Sequence, residues 1–351
     1  QGAPSGATWL AAWAEGSTLK LQHVDETGSK VGSVQSDSLA TDVTSISADV
    51  TNNGYVVALT RKKASGVDSI VVRRLKAGLG TRSPDATFEK NETVGNISVA
   101  SQGGEAWFGY NYRKSAGQHR IRAGAVKLSS GTVGTTPVKV NQSGNQLPSA
   151  TRPAIDIASG TPTLAWWDKS SNAVRGARLM GGSASKHFDV SVGTTTAGFR
   201  EPIDVISIGG KVGLVFPDYT NTGKTALKYV SVGAGQTGSV MGAKALTGTT
   251  KVNRQPTASA VDADGDGTAD RLLVVWAQGN TNDPAIMVGQ TSLGSPSMIG
   301  GKTVAKSFPD VPDLAVSGER SGMVWLNTST RTSKDVKYAP LSIDGVGVCS
   351  P

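Results

Sequence analysis

A short hydrophobic phrase recurs seven times along this 351-residue chain and limits the folds that the chain can adopt. Each copy is a run of apolar residues that ends in a large side chain, here called the anchor, with a further marker residue, usually polar, two places later. The anchors are Trp13, Leu59, Tyr110, Trp166, Phe216, Trp276 and Trp325. Successive anchors lie 46, 51, 56, 50, 60 and 49 residues apart. A period of about 50 residues, with four short strands per unit, is typical of a β-propeller.

We therefore predict an all-β fold, a single seven-bladed β-propeller over residues 1–351 with four-stranded antiparallel blades. The repeated phrase is strand B of each blade, and strands A, C and D surround it. Only six candidate A strands precede the seven B strands, so two arrangements remain open. The first blade has three strands, or the tail at 345–349 completes a blade across the termini. Because pairing of the two ends removes open sheet edges, we expect the ring to close in that second way.

The chain is basic, with a formal net charge of +8 and a pI near 9.5. Its Lys and Arg residues are scattered and no nucleic-acid-binding module is visible, so we expect no nucleic-acid partner and attribute the charge mainly to solubility. No apolar run is long enough to predict a membrane span. Gln1 suits a processed chain, and the single Cys349 cannot form a disulfide within the chain. We expect a secreted, extracellular and monomeric protein.

One loop carries an acidic series that suits a hard metal ion. Asp262, Asp264, Asp266 and Asp270 occupy positions 1, 3, 5 and 9 of a Gly-containing loop, with Thr268 as a further oxygen ligand. Oxygen ligands of this number favour Ca²⁺ over Zn²⁺ or Mg²⁺. The loop lies between strands A and B, and in this it resembles the calcium loops of integrin-type FG-GAP propeller blades. The resemblance implies one structural Ca²⁺, and the alternative is an Asx-rich turn without metal.

Charged residues also gather where the strand order predicts the axial mouth of the ring. Three arginines, each shortly before a Pro, precede strand A of three consecutive blades, and acidic residues follow the anchors. The set is Arg152, Arg200, Arg254, Glu15, Asp168 and Asp218. These side chains are expected to form a polar mouth for a ligand with carboxylate or hydroxyl groups. Alternatively, the arginines pair with acids of the next blade and lock the blades together.

Signals for an enzyme are weak in the sequence. The three histidines match no metal-binding spacing, and no G-x-S-x-G motif occurs. We therefore expect no catalytic residues. The first alternative is an enzyme that cleaves a polysaccharide at the axial mouth. A glycosidase would use Asp168 and Asp218 as its two carboxylates. A lyase would use Tyr110, Tyr112 or His119 as its base. A second alternative is a glycan-binding lectin that exposes Trp9, Trp107 or Trp167.

A rigid scaffold with variable loops and no catalytic set resembles secreted bacterial seven-bladed propellers that act on other proteins. The resemblance implies a non-enzymatic protein-interaction module. It implies two extracellular partners: a secreted metalloprotease whose autolysis the module induces, and a transglutaminase to which it donates glutamines. Acyl-donor glutamines lie in mobile loops of small residues. The candidates are Gln35, Gln142, Gln146 and Gln236.

Overall fold

A computed structural model gives the fold of the chain. It describes residues 9–39, 41–62, 68–90, 93–115, 118–141, 152–168, 173–181, 183–191, 202–221, 224–279, 284–297, 299–306, 309–317, 320–327, 335–342 and 347–348. Throughout these residues the regular secondary structure is β, with 28 strands and no helix. The same residues contain no helix of the length and apolar character that crossing a membrane requires.

Each strand has a fixed place in its blade, from strand A at the axis to strand D at the rim. The A strands, in blades 2 to 7, are β4 (Val43–Thr51), β8 (Thr93–Gln102), β12 (Ala154–Ala158), β16 (Asp204–Ile208), β21 (Asn253–Val261) and β25 (Pro309–Ser317). The B strands are β1 (Trp9–Glu15), β5 (Gly54–Lys62), β9 (Glu105–Ser115), β13 (Thr161–Asp168), β17 (Lys211–Asn221), β22 (Arg271–Gln278) and β26 (Arg320–Asn327). The C strands are β2 (Thr18–Val24), β6 (Asp68–Lys76), β10 (Gln118–Lys127), β14 (Ala173–Met180), β18 (Lys224–Val232), β23 (Ala285–Ser292) and β27 (Asp335–Ser342). The D strands are β3 (Lys30–Ser38), β7 (Thr81–Lys90), β11 (Val133–Lys139), β15 (Ser183–Ser191), β20 (Lys244–Ala245), β24 (Lys302–Ala305) and β28 (Gly347–Val348).

The strands form seven small sheets arranged in a ring, and the predicted seven-bladed propeller is confirmed. Neighbouring strands within a blade are antiparallel, and most blades have four of them. Blade 4 gains a fifth strand, β19 (Gly238–Val240), from the connection between strands C and D of blade 5. This strand runs parallel to β15 and covers the outer edge of blade 4, which leaves fewer unpaired backbone groups at the rim.

The ring closes differently from the sequence-based expectation. Blade 1 contributes three strands to the described structure, and the tail strand β28 pairs with β27 inside blade 7. The prediction that the tail completes a blade across the termini is therefore wrong for the described residues. Closure between blades 7 and 1 is made by side chains, because Val324 and Tyr338 pack against Trp9 and Trp13. Apolar burial replaces backbone pairing at this junction.

The anchors explain why the phrase repeats. Seven apolar clusters fill the seven interfaces between neighbouring blades. All anchors point toward the preceding blade. Leu59 joins the blade 1–2 cluster, for example, and Trp276 joins the blade 5–6 cluster. Trp166, Trp276, Tyr110 and Phe216 are among the largest fully buried side chains. Since a single blade cannot bury these faces, the anchors hold the ring together.

Two buried arginines add a polar clamp between blades. Arg74 lies opposite Val56, and Arg178 lies opposite Thr163. Each arginine thus faces the strand B residue three places before the anchor of its blade. Arg74 donates to the carbonyl oxygens of Leu128, Ser129 and Ser130 in the C–D turn of blade 3. Arg178 likewise donates to the carbonyl oxygens of Val232 and Gly233 in blade 5, the latter at 2.6 Å. Each guanidinium thus ties one blade to the turn of the next.

Candidate functional site

The two carboxylates predicted for the mouth, Asp168 and Asp218, lie at the ends of strands B in blades 4 and 5. Both are fully buried. Asp168 Oδ2 is 2.9 Å from Nε of Arg175, and Asp218 Oδ2 pairs with Nζ of Lys228. Both cations come from strand C of the same blade. These carboxylates are therefore committed to intrablade ion pairs, and they do not form an open catalytic pair across the axis.

The other predicted mouth residues are not brought together. Glu15 is exposed, accepts a hydrogen bond from Nε1 of Trp13 at 3.0 Å, and lies 3.9 Å from Nζ of Lys20. Arg254 donates to the carbonyl oxygen of Gly279, which is a contact inside blade 6. Arg152 is half-buried, and Arg200 lies outside the described residues. The described residues thus do not assemble the three arginines into one site.

The ion pairs belong to a pattern that the sequence analysis missed. The strand C residue directly opposite the anchor is cationic in five of the seven blades, namely Lys20, Arg122, Arg175, Lys228 and Lys337. Blades 2 and 6 carry Val71 and Met287 at this position. The signal was present in the sequence, but it becomes visible only when the register between strands B and C is known, because the hairpins do not all have the same loop length.

Four carboxylates line the central channel, and they were also missed. Asp49, Asp156, Asp204 and Asp313 each lie in a strand A whose other residues are mostly small or apolar. Asp204 and Asp313 lie opposite the residue just before the anchor of their blade, and Asp49 and Asp156 lie opposite the residue three before it. The four therefore form two tiers along the axis. The upper tier, Asp204 and Asp313, is nearer the end of the ring where strands B finish, here called the B–C end.

Three of these carboxylates, Asp49, Asp156 and Asp204, bond the inner edges of neighbouring blades. Oδ2 of Asp49 accepts from the amide of Ser101 at 2.6 Å, and Oδ2 of Asp156 accepts from the amide of Ser207 at 2.5 Å. Oδ2 of Asp204 accepts from the amide of Ala258 at 2.7 Å, and its Oδ1 accepts from the amide of Val205. Strand A has no neighbour on its axial side. The carboxylates satisfy amides that would otherwise lack a protein partner.

The channel also changes the acidity of these groups. Burial raises the pKa of Asp204 to about 7, and the negative charges of Asp313 and Asp156 add to the shift. Burial likewise raises the pKa of Asp49 to about 6, opposed by the hydrogen bonds that it accepts and assisted by Asp156. The pKa of Asp156 is raised by burial too. Asp49, Asp156 and Asp204 are nevertheless only half-buried, and Asp313 is exposed, so the channel can admit solvent. Carboxylic acids that stay protonated near neutral pH are typical of sites that transfer protons.

The predicted calcium loop folds into a compact turn at the opposite end of blade 6. Carboxylate oxygens of Asp262, Asp264 and Asp266 lie within 4.8 Å of one another. Asp262 is held by the amides of Gly265 and Gly267, and the hydrogen bond from Gly267 is the main reason that its pKa is lowered. Asp270 turns away, because its Oδ1 accepts from the amide of Ala263. Thr268 donates its amide to Asp266. The structure thus gathers three of the predicted ligands, Asp262, Asp264 and Asp266.

Residues proposed for the alternative functions are largely buried. Trp9, Trp107 and Trp167 are 7, 9 and 2 % exposed, so they offer no open platform for a sugar ring. Tyr110 and Tyr112, the candidate lyase bases, pack in the blade 2–3 core. His119, on blade 3, is half-buried.

Of the four candidate donor glutamines, the two within the described residues do not lie free in mobile loops. Gln35 is exposed but lies within strand β3. Gln236 accepts a hydrogen bond from the amide of Gly233 through its side chain and is thereby fixed in its own turn. Gln142 and Gln146 lie outside the described residues.

Comparisons with known proteins find the fold but no close relative. No protein-family model and no curated protein matches the sequence. Among solved structures, an α-L-arabinofuranosidase of Fusarium graminearum in complex with arabinobiose is similar, with 11 % identity and a TM-score of 0.59, over 87 % of this chain and 94 % of that chain. A neuraminidase-like protein from A/bat/Guatemala/164/2009 has 11 % identity and a TM-score of 0.51, over 84 % of this chain and 82 % of that chain.

These comparisons contradict the expectation of a non-enzymatic protein-interaction module that acts on a metalloprotease and a transglutaminase. The similar propellers are named as an α-L-arabinofuranosidase and a neuraminidase-like protein, so the comparisons favour the glycan-active alternative over the prediction that the chain is not an enzyme. Secretion and a monomeric state stay predictions. At such low identity the similarity establishes architecture only, and the chain shares the propeller fold of these proteins.

Proposed function

We propose that this propeller cleaves glycosidic bonds in a polysaccharide at the B–C end of its central channel. The observation that carries the proposal is the upper tier of axial carboxylates. Asp204 has a pKa near 7, raised first by burial and then by the negative charge of Asp313. A glycosidase requires one carboxyl group that is protonated and a second that is ionised. Different surroundings give the two groups different pKa values and so assign the two roles. The names of the similar solved structures support the same class of reaction.

In this proposal Asp204 donates the proton to the leaving glycosidic oxygen. Its carboxyl is oriented by the amides of Ala258 and Val205 and by Oγ1 of Thr257, at 3.4 Å. Asp313, exposed and in the same tier, acts as the ionised partner that activates water or stabilises the developing positive charge. Both side chains belong to rigid inner strands, which suits groups that must hold a fixed geometry.

A panel of arabinan, galactan and polygalacturonate tests the proposal, with released reducing ends as the readout. We expect hydrolysis of at least one glycan and a loss of at least about 100-fold in rate in Asp204→Asn. Asp49→Asn is the matched control, because Asp49 makes the same kind of interblade bond in the lower tier and does not contribute to the raised pKa of Asp204. The reaction should slow as pH rises through about 7, where Asp204 loses its proton. No turnover of any glycan, or equal losses in both variants with unchanged melting, would contradict the proposal.

We also propose that the loop at 262–270 binds Ca²⁺ and stabilises blade 6. Three carboxylates of the loop converge within 4.8 Å, and oxygen donors of this kind suit a hard cation. The acidic series and the position between strands A and B support the resemblance to integrin-type FG-GAP blades. Because this loop lies at the end of the ring opposite the upper tier, its role in the proposal is structural.

A further inference from the structure

We infer that Trp13 is the platform on which one sugar ring of a neutral glycan stacks at the B–C end of the channel. Trp13 is half-buried, whereas the other six anchors, from Leu59 to Trp325, are at most 8 % exposed. A partly exposed indole at the mouth of a channel offers an apolar surface to the C–H groups of a sugar ring. The inference rests on the proposed function, because it names the substrate class of the same site.

Blade 1 leaves this side chain open because the described residues give the blade no strand A. Its sheet consists of β1, β2 and β3, so the strand B that carries Trp13 is the strand nearest the axis. In the other six blades a strand A lies between strand B and the channel. Val324 and Tyr338 of blade 7 pack against Trp13, and this contact covers only part of the indole.

Trp13 lies close to the height at which the reaction is proposed. The upper tier, Asp204 and Asp313, is level with the strand B residue just before the anchor. The anchor is one residue nearer the B–C end, a step of about 3.3 Å along a strand. Blade 7, which carries Asp313, is the neighbour of blade 1, and blade 5, which carries Asp204, lies across the axis. A sugar ring on Trp13 thus sits at the rim, and the glycan continues from it toward the upper tier.

A carboxylate and an ammonium group flank the indole. Oε1 of Glu15 accepts from Nε1 of Trp13 at 3.0 Å, and Oε2 of Glu15 lies 3.9 Å from Nζ of Lys20. Lys20 is opposite Trp13 in the strand register and also donates to Oγ of Ser36 at 3.0 Å. A carboxylate accepts hydrogen bonds from sugar hydroxyls, and an ammonium group donates them. Trp13, Glu15 and Lys20 together are here called the blade 1 subsite.

The same acid–cation pair is closed in blades 4 and 5. Asp168 and Asp218 stand two residues after their anchors, as Glu15 does, and they pair with Arg175 and Lys228. Both of these carboxylates are completely buried, whereas the side chain of Glu15 is 62 % exposed. The pair thus serves packing in blades 4 and 5, and in blade 1 it meets solvent beside an open indole.

These contacts favour a neutral glycan over an acidic one. Within the blade 1 subsite the charge of Lys20 offsets that of Glu15, so a uronate carboxylate gains no net attraction there. Stacking requires a ring face that presents mainly C–H groups, and pyranose rings of the galactose type have such a face. Galactan therefore fits the subsite better than polygalacturonate, which adds a carboxylate to each ring. Arabinan fits less well because its furanose rings offer a smaller flat surface.

The test measures equilibrium binding of galactotetraose, arabinotetraose and tetragalacturonate to the full chain that carries Asp204→Asn, so that the oligosaccharides stay intact. We expect galactotetraose to bind at least about tenfold more tightly than the other two, with little change between about 20 and 200 mM salt. Trp13→Ala should weaken this binding at least about tenfold, and Trp13→Phe about threefold, because the platform is lost or reduced. Glu15→Gln should weaken it about threefold, because a charged acceptor becomes neutral.

Matched controls separate the subsite from effects on folding. Trp325→Phe makes the same change at the buried anchor of blade 7, and Glu26→Gln removes an exposed carboxylate at the opposite end of blade 1. Both controls should keep the affinity for galactotetraose, and thermal melting is compared for all variants. Because Trp13 also packs against blade 7, Glu15→Gln, at an exposed side chain, keeps the test decisive if Trp13→Ala does not fold.

Tighter binding of either other oligosaccharide, or no binding of galactotetraose, would overturn the inference. Equal losses of affinity in Trp13→Phe and Trp325→Phe, or unchanged affinity in both Trp13→Phe and Glu15→Gln, would do the same. Binding of galactotetraose without hydrolysis of galactan by the unmodified protein would keep the inference and remove the proposed reaction. Hydrolysis with a KM that Trp13→Phe does not change would keep the reaction and remove the inference.

Discussion

Asp204 in strand A of blade 5 accepts a hydrogen bond from the backbone amide of Ala258 in strand A of blade 6, at 2.7 Å. The contact joins the inner edges of two blades through a carboxyl whose pKa is raised to about 7 by burial and by the charges of Asp313 and Asp156. The same group thus contributes to blade cohesion and holds a proton near neutral pH.

The raised pKa values predict that stability falls as pH rises from about 4 to about 7. A carboxyl whose pKa is higher in the folded state binds more protons there, so its contribution is fully present below the unfolded pKa and is lost as pH passes the folded pKa. Asp49 and Asp156 act in the same direction as Asp204. Because the channel is partly solvated, we expect a loss of about 1–2 kcal/mol.

Urea unfolding at pH 4.5 and at pH 8 measures this difference. Asp204→Asn should flatten the pH dependence, whereas Asp42→Asn, which alters an exposed carboxylate, should leave it unchanged. Equal or greater stability at pH 8 in the unmodified protein would show that the axial carboxyls do not govern the profile.

The ion pair of the buried Asp218 with the half-buried Lys228 predicts strong coupling between the two side chains. Lys228→Met leaves a fully buried carboxylate without its cation and should cost about 3–5 kcal/mol. The double change D218Q/K228M reproduces the Gln278 and Met287 of blade 6 and should recover most of that loss. A double-mutant cycle in urea measures the coupling; additive effects would mean that the pair contributes little.

The hydrogen bonds from the guanidinium of Arg178 are expected to stabilise both the whole protein and the C–D turn of blade 5. Arg178→Met removes the donor to Val232 and Gly233 and leaves their carbonyl oxygens without it, which should cost about 2–4 kcal/mol. Hydrogen exchange should accelerate first around the C–D turn of blade 5. Arg82→Met, which removes the donor to the exposed carbonyl of Asn53, serves as the control. Unchanged hydrogen exchange in this turn in Arg178→Met would show that Arg178 does not hold blade 4 to blade 5.

The anchor Trp276 predicts a large loss of stability when truncated. It is 1 % exposed, fills the blade 5–6 core and donates from Nε1 to Oδ1 of Asn253 at 3.0 Å. Trp276→Ala should cost about 3–5 kcal/mol. Trp276→Phe, which keeps most of the packing, should cost less. Similar melting temperatures for all three proteins would refute the anchor role.

Calcium binding predicts a thermal shift on chelation. Excess EDTA should lower the melting temperature by a few degrees, because each kcal/mol lost shifts it by roughly 2–4 °C in domains of 150–250 residues and by less in a larger chain. Added Ca²⁺ should restore it. In D262N/D264N the shift should disappear, because two of the three converging carboxylates are lost. A melting temperature that does not change on chelation, with no cation detected by elemental analysis, would count against the site.

The spacing of the anchors was enough to determine the seven-bladed ring, because every blade must bury its apolar faces against its neighbours at a similar chain interval. Local chemistry likewise marked the acidic loop, since Asp262, Asp264 and Asp266 are close in sequence and meet in space. The repeated strand B and the acidic loop could be predicted because each depends on residues that are close together in the sequence.

Tertiary structure decided the rest. Asp204 is near Asp313 only because strand A of blade 5 and strand A of blade 7 share the axis, more than one hundred residues apart in the chain. Asp168 and Asp218 are buried ion pairs because the strand register sets Arg175 and Lys228 beside them. Tyr338 packs against Trp9 because the closed ring brings blade 7 next to blade 1. The sequence determines which faces must be buried, while charge pairing and acidity depend on distances that only the closed ring creates.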